Sequence, residues 1–174
     1  MKKIVYIGLL SALLCVLAPL SLNINVIPFS LATLVIMLYG EVFSFKISFT
    51  SVLIYVMLGI VGLPVFSGYG AGMAKILSPS GGFILGYMPL VAIISILNKN
   101  KTNKVYKFII LLLSNIVLYI IGTVYYSILT KNSFISGLAV CMIPFIIPDI
   151  IKMLIVLLIE DKIKVIINDK ELTN

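Results

Sequence analysis

The chain has 174 residues, 61% hydrophobic and only 11% charged, with a mean hydropathy of +1.23. Soluble domains run at about 45–50% apolar and about 25% charged, so a soluble core this short cannot hide so much apolar surface, and the solvent must be lipid. With no His, no Arg and only Cys15 and Cys141, the sequence excludes a His-based triad, a His metal cluster and paired-Cys ligation.

A membrane helix needs about 20 mostly apolar residues. That window predicts six spans, at 4–22, 27–45, 48–62, 82–98, 106–129 and 137–160, forming a single all-α membrane domain over 1–174. The first follows Met1-Lys2-Lys3, as a signal peptide would. No A-x-A-like site follows it in LAPLSLNINVIP, so it is expected to be retained. The second and third spans are separated only by SFKIS. Pro89 is expected to kink the fourth.

The net charge of +7 is a topology signal, because the lysines flank the apolar runs. Lys2, Lys3, Lys46, Lys99, Lys101, Lys104, Lys107, Lys162, Lys164 and Lys170 fall at the N-terminus, the second and fourth connections and the C-terminus. Only Lys75 and Lys131 fall in the alternate connections. An excess of Lys marks the cytoplasmic side, which puts both termini in the cytoplasm of a multi-pass cell-membrane protein. An even number of spans likewise requires both termini to lie on one side.

Two stretches carry the polar information. In IPFIIPDIIKMLIVLLI, residues 143–159, Asp149 and Lys152 are i and i+3 on one face of the last span. Ionisable groups at membrane depth face a bundle interior or a water-filled cavity and often mark a substrate path. A pair that only braces helices gains little, because desolvation cancels much of its attraction. Both residues lie in the outer half of an inward-running helix, so a cavity they line opens outward. The second stretch, LGIVGLPVFSGYGAGMAKILSPSGGFILGY at 58–87, holds eight of the chain's 12 glycines. Its Ser78-Pro79-Ser80-Gly81-Gly82 end has the chemistry of a helix start, with Ser as N-cap and Pro at the first position. Free N–H groups there suit an anion, and Gly81-Gly82 would let a ligand approach the backbone. Phe66 and Tyr69 sit on a loop able to cover a pocket. In the first span, small residues one turn apart (Gly8 and Ala12, Ser11 and Cys15) make a face that a second helix can approach.

GLPVFSGYGAGMAKILSPSGGFILGY followed by IPFIIPDIIK resembles the BioY family, the substrate-binding S components of energy-coupling factor (ECF) biotin transporters. Motif order and length match over essentially the whole chain. The resemblance implies a vitamin-binding six-helix bundle with no ATPase of its own, working with a transmembrane T component and two cytoplasmic ATPases. It also implies that Asp149 and Lys152 are the binding-site acid and base, and that Gly8, Ala12 and Val16 contact the T component. The family's G-P-T-G-G-Y reads Ser78-Pro79-Ser80-Gly81-Gly82-Phe83 here. A Gln common near the second span is Ala32.

With biotin as ligand, Asp149 is expected to accept from a ureido N–H and Lys152 to donate to a ligand oxygen. The Ser78–Gly82 helix start is expected to hold the carboxylate or a pocket wall, with Phe66 and Tyr69 closing over the ligand. Lipoate, which lacks the ureido group, is the nearest alternative ligand. An intramembrane enzyme using Asp149 or Glu41 would lack a second catalytic group in motif form. A structural subunit would show no stabilisation by ligand. No cofactor, metal or nucleic acid is implied.

Overall fold

A computed structural model describes residues 2–22, 27–99 and 101–167. The chain runs α1 (Lys2–Leu17), β1 (Ser21–Leu22), β2 (Phe29–Ser30), α2 (Ala32–Val42), α3 (Phe45–Val61), α4 (Gly72–Ile76), α5 (Gly81–Leu97), α6 (Lys104–Thr130), α7 (Phe134–Cys141) and α8 (Ile146–Ile167). Single 3₁₀ turns lie at Ser67–Tyr69 and Ile143–Phe145.

Three of the expected segments are cut by proline chemistry. The first helix stops at Leu17, two residues before Pro19. The second begins only at Ala32, because Pro28 biases Ile27 away from helical backbone. Instead, Ser21–Leu22 and Phe29–Ser30 pair antiparallel, with Ser21 opposite Ser30. The Ser30 hydroxyl then turns the chain into α2. It donates to the Ala18 carbonyl at 2.8 Å and accepts from the Ala32 N–H at 3.0 Å. The last expected span is broken into α7 and α8 at Met142, whose backbone leaves the helix (φ −121°) just before Pro144. Pro148 is harmless in the first turn of α8, where an N–H has no intrahelical partner to lose. The remaining spans, α3, α5 and α6, fall within a few residues of their expected bounds.

One apolar core runs from Leu10 and Leu14 of α1 through Ile36, Val52, Leu90 and Leu111 to Val156 of α8. The most extensive helix pair is α5 with α6. Its closeness depends on Gly82 and Gly86, one turn apart. A Cβ on Gly82 would lie 2.4 Å from Cβ of Tyr125, and one on Gly86 2.5 Å from Cδ1 of Leu118. Small residues at i and i+4 are how membrane helices approach closely. At the end of α3, Gly62 adopts φ +117°, which an L side chain resists, and its N–H donates back to Gly59.

Among the described residues, two stretches are long and apolar enough to cross a membrane, Lys104–Thr130 and Phe134–Ile167. The apolar helices α2, α3 and α5 are shorter. The outside is apolar as well: Ile4, Val61, Ile128, Leu158 and Ile166 stand exposed, as lipid-facing side chains do.

Candidate functional site

Asp149 and Lys152 lie in the first two turns of α8, on the face turned toward α2 and α6, and both are buried. An acid in the first turn is favoured by the positive end of the helix dipole. A buried charge also needs partners, and neighbouring elements supply them. From α6, Tyr119 donates its hydroxyl to Oδ2 of Asp149 at 2.6 Å, and Asn115 donates its amide to the same oxygen at 3.2 Å. From the β2–α2 junction, the Ser30 carbonyl and the Thr33 hydroxyl accept from Lys152 Nζ at 2.9 and 2.8 Å. The Phe29 ring covers the same ammonium, 4.1 Å from its centroid, a cation–π contact. Nζ is also 3.0 Å from Oδ1 of Asp149. Among the described residues this ion pair is the one polar contact of Oδ1, so a lone pair of that buried oxygen is left for a ligand.

These groups stand in a cleft of about 480 Å³, its open mouth included. Little of the cleft is wide enough to admit a water molecule, so it is narrower here than an open small-molecule site. It is lined by Pro28, Ser30 and Thr33 and by Phe83, Ile84 and Tyr87 of α5. Leu118, Tyr119 and Phe145 complete it, and Ser67 and Ser80 add hydroxyls to its lining. The cleft offers an apolar slot with an acceptor, Asp149 Oδ1, directly beside a cation.

The other residues singled out from the sequence are distributed differently. Ser80 lines the cleft, but Gly81 and Gly82 do not. A Cβ on Gly81 would lie 1.6 Å from the Ile76 carbonyl oxygen, and Gly82 faces Tyr125, so both glycines serve chain packing rather than ligand approach. The expected helix start at Ser78 and Pro79 is displaced: α5 begins at Gly81, and Ser80 makes no side-chain cap. The Gly81 N–H donates to the Ser78 carbonyl at 2.8 Å, so it is not offered to an anion. Phe66 is locked in the core, its ring against Gly59 and edge-on to Tyr55. Tyr69 is exposed beside a separate apolar groove formed with Pro19, Leu20 and Phe29. Neither aromatic covers the cleft. Gly8, Ala12 and Val16 form an open stripe on α1, and a Cβ on Gly8 would meet nothing within 4 Å.

A second polar cluster lies at the far end of the same helices. Glu160 of α8 accepts from Lys107 and Lys104, each at 2.7 Å, and Lys164 is 3.5 Å away. Glu41 of α2 accepts from the Asn98 amide, and its other oxygen is 4.0 Å from Lys107 Nζ. Lys107, expected in a connection as a topology marker, is instead buried inside α6. Glu41 lies eight residues along α2 from Thr33, about 12 Å at 1.5 Å per residue, so it belongs to this cluster rather than to the cleft. Among the described residues no group of three or more acidic, His or Cys side chains is placed to hold a metal ion.

Comparison with known proteins places these features in a family. The BioY family model matches residues 1–169. A probable biotin transporter BioY of Pyrococcus horikoshii is 33% identical over 165 residues, covering 94% of this chain and 96% of that one. The biotin transporter BioY2 of Lactococcus lactis subsp. cremoris is 32% identical over 151 residues, covering 86% and 83%. The crystal structure of an S-component for biotin from an ECF-type ABC transporter superposes with a TM-score of 0.86 at 26% identity, covering 94% of this chain and 90% of that chain.

Proposed function

The chain belongs to the BioY family, and from that membership we propose that it is the biotin-binding S component of an ECF-type ABC transporter. It captures the vitamin and makes or breaks no covalent bond. ATP hydrolysis belongs to separate ATPase subunits, coupled through a transmembrane T component. The observation that carries the ligand assignment is Oδ1 of Asp149, an acceptor whose one polar neighbour among the described residues is the Lys152 ammonium at 3.0 Å, in a cleft of apolar walls.

Biotin presents a ureido edge with N–H beside C=O, a thioether ring and a valerate carboxylate. An N–H donating to Asp149 Oδ1 and a carbonyl oxygen accepting from Lys152 fit adjacent acceptor and donor atoms. The thioether ring suits the slot between Phe83, Ile84 and Leu118. A ligand carboxylate beside Asp149 would face a like charge, so the valerate is assigned to the cleft mouth, toward Ser67 and Ser80. Lipoate has no N–H for Oδ1 and forgoes that hydrogen bond, a loss sites built for hydrogen bonding punish strongly.

The proposed setting is a single membrane domain in the cell membrane, with six spans and both termini cytoplasmic. The lysine distribution and the exposed apolar side chains support it. The spans are α1, α2 with its extended lead-in, α3, α5, α6, and α7 with α8. In that setting the Asp149 cleft opens outward, and the open Gly8–Ala12–Val16 stripe is the surface offered to the T component. The test is competition between biotin and lipoate for the detergent-solubilised chain. Biotin is expected to displace lipoate at far lower concentration; equal potency overturns the ureido assignment.

A further inference from the structure

The sequence singles out Asp149 and Lys152, but the Asp149 carboxylate does not stand by itself. We infer that Tyr119 and Asn115 of α6 are positioning residues for ligand recognition. They fill Oδ2 of Asp149 and thereby hold Oδ1 as the carboxylate oxygen presented to the ligand. The inference deepens the biotin-binding reading and rests on it.

A carboxylate rotates readily about its last bond, since that torsion is broad and two-fold. Beside an ammonium, an unrestrained carboxylate would turn to bring both oxygens to the cation, leaving nothing to offer. Here two donors from one neighbouring helix prevent that turn. Tyr119 and Asn115 are i and i+4 on α6, so one face delivers both side chains to one oxygen. Both are buried, so water does not compete for Oδ2. Two of the three Lys152 hydrogens go to the Ser30 carbonyl and the Thr33 hydroxyl, which holds the cation beside Oδ1 with one donor left for it. The outcome is a desolvated anionic oxygen paired with the Lys152 ammonium and keeping a lone pair for the ligand. Binding sites hold such atoms where preorganisation is maintained by surrounding structure. Of the two residues, Tyr119 also forms part of the cleft wall, so its ring and its hydroxyl have separable roles.

Tyr119→Phe keeps the ring and the wall and removes only the hydroxyl. Hydrogen bonds to charged groups are worth on the order of ten- to hundredfold in an equilibrium constant, and Tyr119→Phe is expected to weaken biotin binding by that factor. A packing role would leave affinity unchanged, because the ring remains. The experiment is a double-mutant cycle on the full chain in detergent, with Tyr119→Phe and Asp149→Asn made singly and together, and radiolabelled biotin binding as the readout. If Tyr119 acts through Asp149, the double variant binds no more weakly than Asp149→Asn alone. Additive losses overturn the assignment, and so does a Tyr119→Phe chain that binds like wild type. Should Tyr119→Phe fail to fold, Asn115→Ala takes its place in the same cycle, with the same expected and refuting results. A wild-type chain that does not bind biotin removes the underlying reading as well, an outcome distinct from a wild type that binds and a Tyr119→Phe that binds equally.

Discussion

Replacing Lys107 with Met separates the structural polar cluster from the ligand site. Lys107 Nζ sits between two fully buried acids, 2.7 Å from Glu160 Oε2 and 4.0 Å from Glu41 Oε2. Glu160 keeps Lys104 and Lys164 as partners when Lys107 is lost, whereas among the described residues no other lysine is within ion-pair distance of Glu41. Removing one partner of a buried ionic pair costs about 3–5 kcal/mol. The retained lysines put Lys107→Met near the lower end, about 3 kcal/mol. Adding Glu41→Gln removes the carboxylate left uncompensated and keeps an oxygen for the Asn98 amide, so the double variant should regain on the order of 1–2 kcal/mol. Biotin affinity should stay within about threefold, because Asp149 and Glu160 are eleven residues apart on α8, about 16 Å. Denaturant unfolding in micelles, followed by helical circular dichroism, gives the stabilities, and a binding titration gives the affinity. The reasoning fails if Lys107→Met is as stable as wild type, or if Glu41→Gln deepens the loss.

Phe66→Ala empties a fully buried ring site against Gly59 and Tyr55 and should cost about 3–5 kcal/mol in the same unfolding assay. Tyr69→Ala, at an exposed position outside the cleft, should leave biotin affinity within about twofold by titration; a tenfold loss would restore Tyr69 as a cover for the ligand. Gly82→Ala places a methyl 2.4 Å from Cβ of Tyr125 and forces α5 from α6. It should cost about 1–3 kcal/mol and, because Phe83 and Ile84 follow directly in the cleft wall, lower biotin affinity measurably in the same preparation.

Much of this was legible in the sequence because lipid simplifies the code. Apolar length marked the helices, and Asp149 and Lys152 stood out since charge is costly in an apolar run. Helix ends were less legible where proline and one hydroxyl decide them. Nothing in a hydropathy window foretells that Ser30 bonds both Ala18 and Ala32, or that Met142 breaks the last span. The glycines of 59–86 carried a real signal whose meaning depended on three dimensions. Gly81 and Gly82 look alike as ligand-facing backbone until Ile76 and Tyr125 are found against them. Tyr119, Asn115, Ser30 and Thr33 were overlooked as partners of the pair. Only the first two left a trace, as polar residues one turn apart in an apolar helix. Lys107 read as a flanking charge because sequence shows proximity to a helix end, not burial.

The most direct test is calorimetric titration of biotin into the purified wild-type chain and into Asp149→Ala and Lys152→Ala, each checked for intact helical content. One-to-one binding by wild type, weakened about hundredfold or more in each variant, is the predicted result, because each substitution leaves the remaining buried charge and a polar ligand atom unpaired. Biotin binding equally tight in all three folded chains would contradict the account.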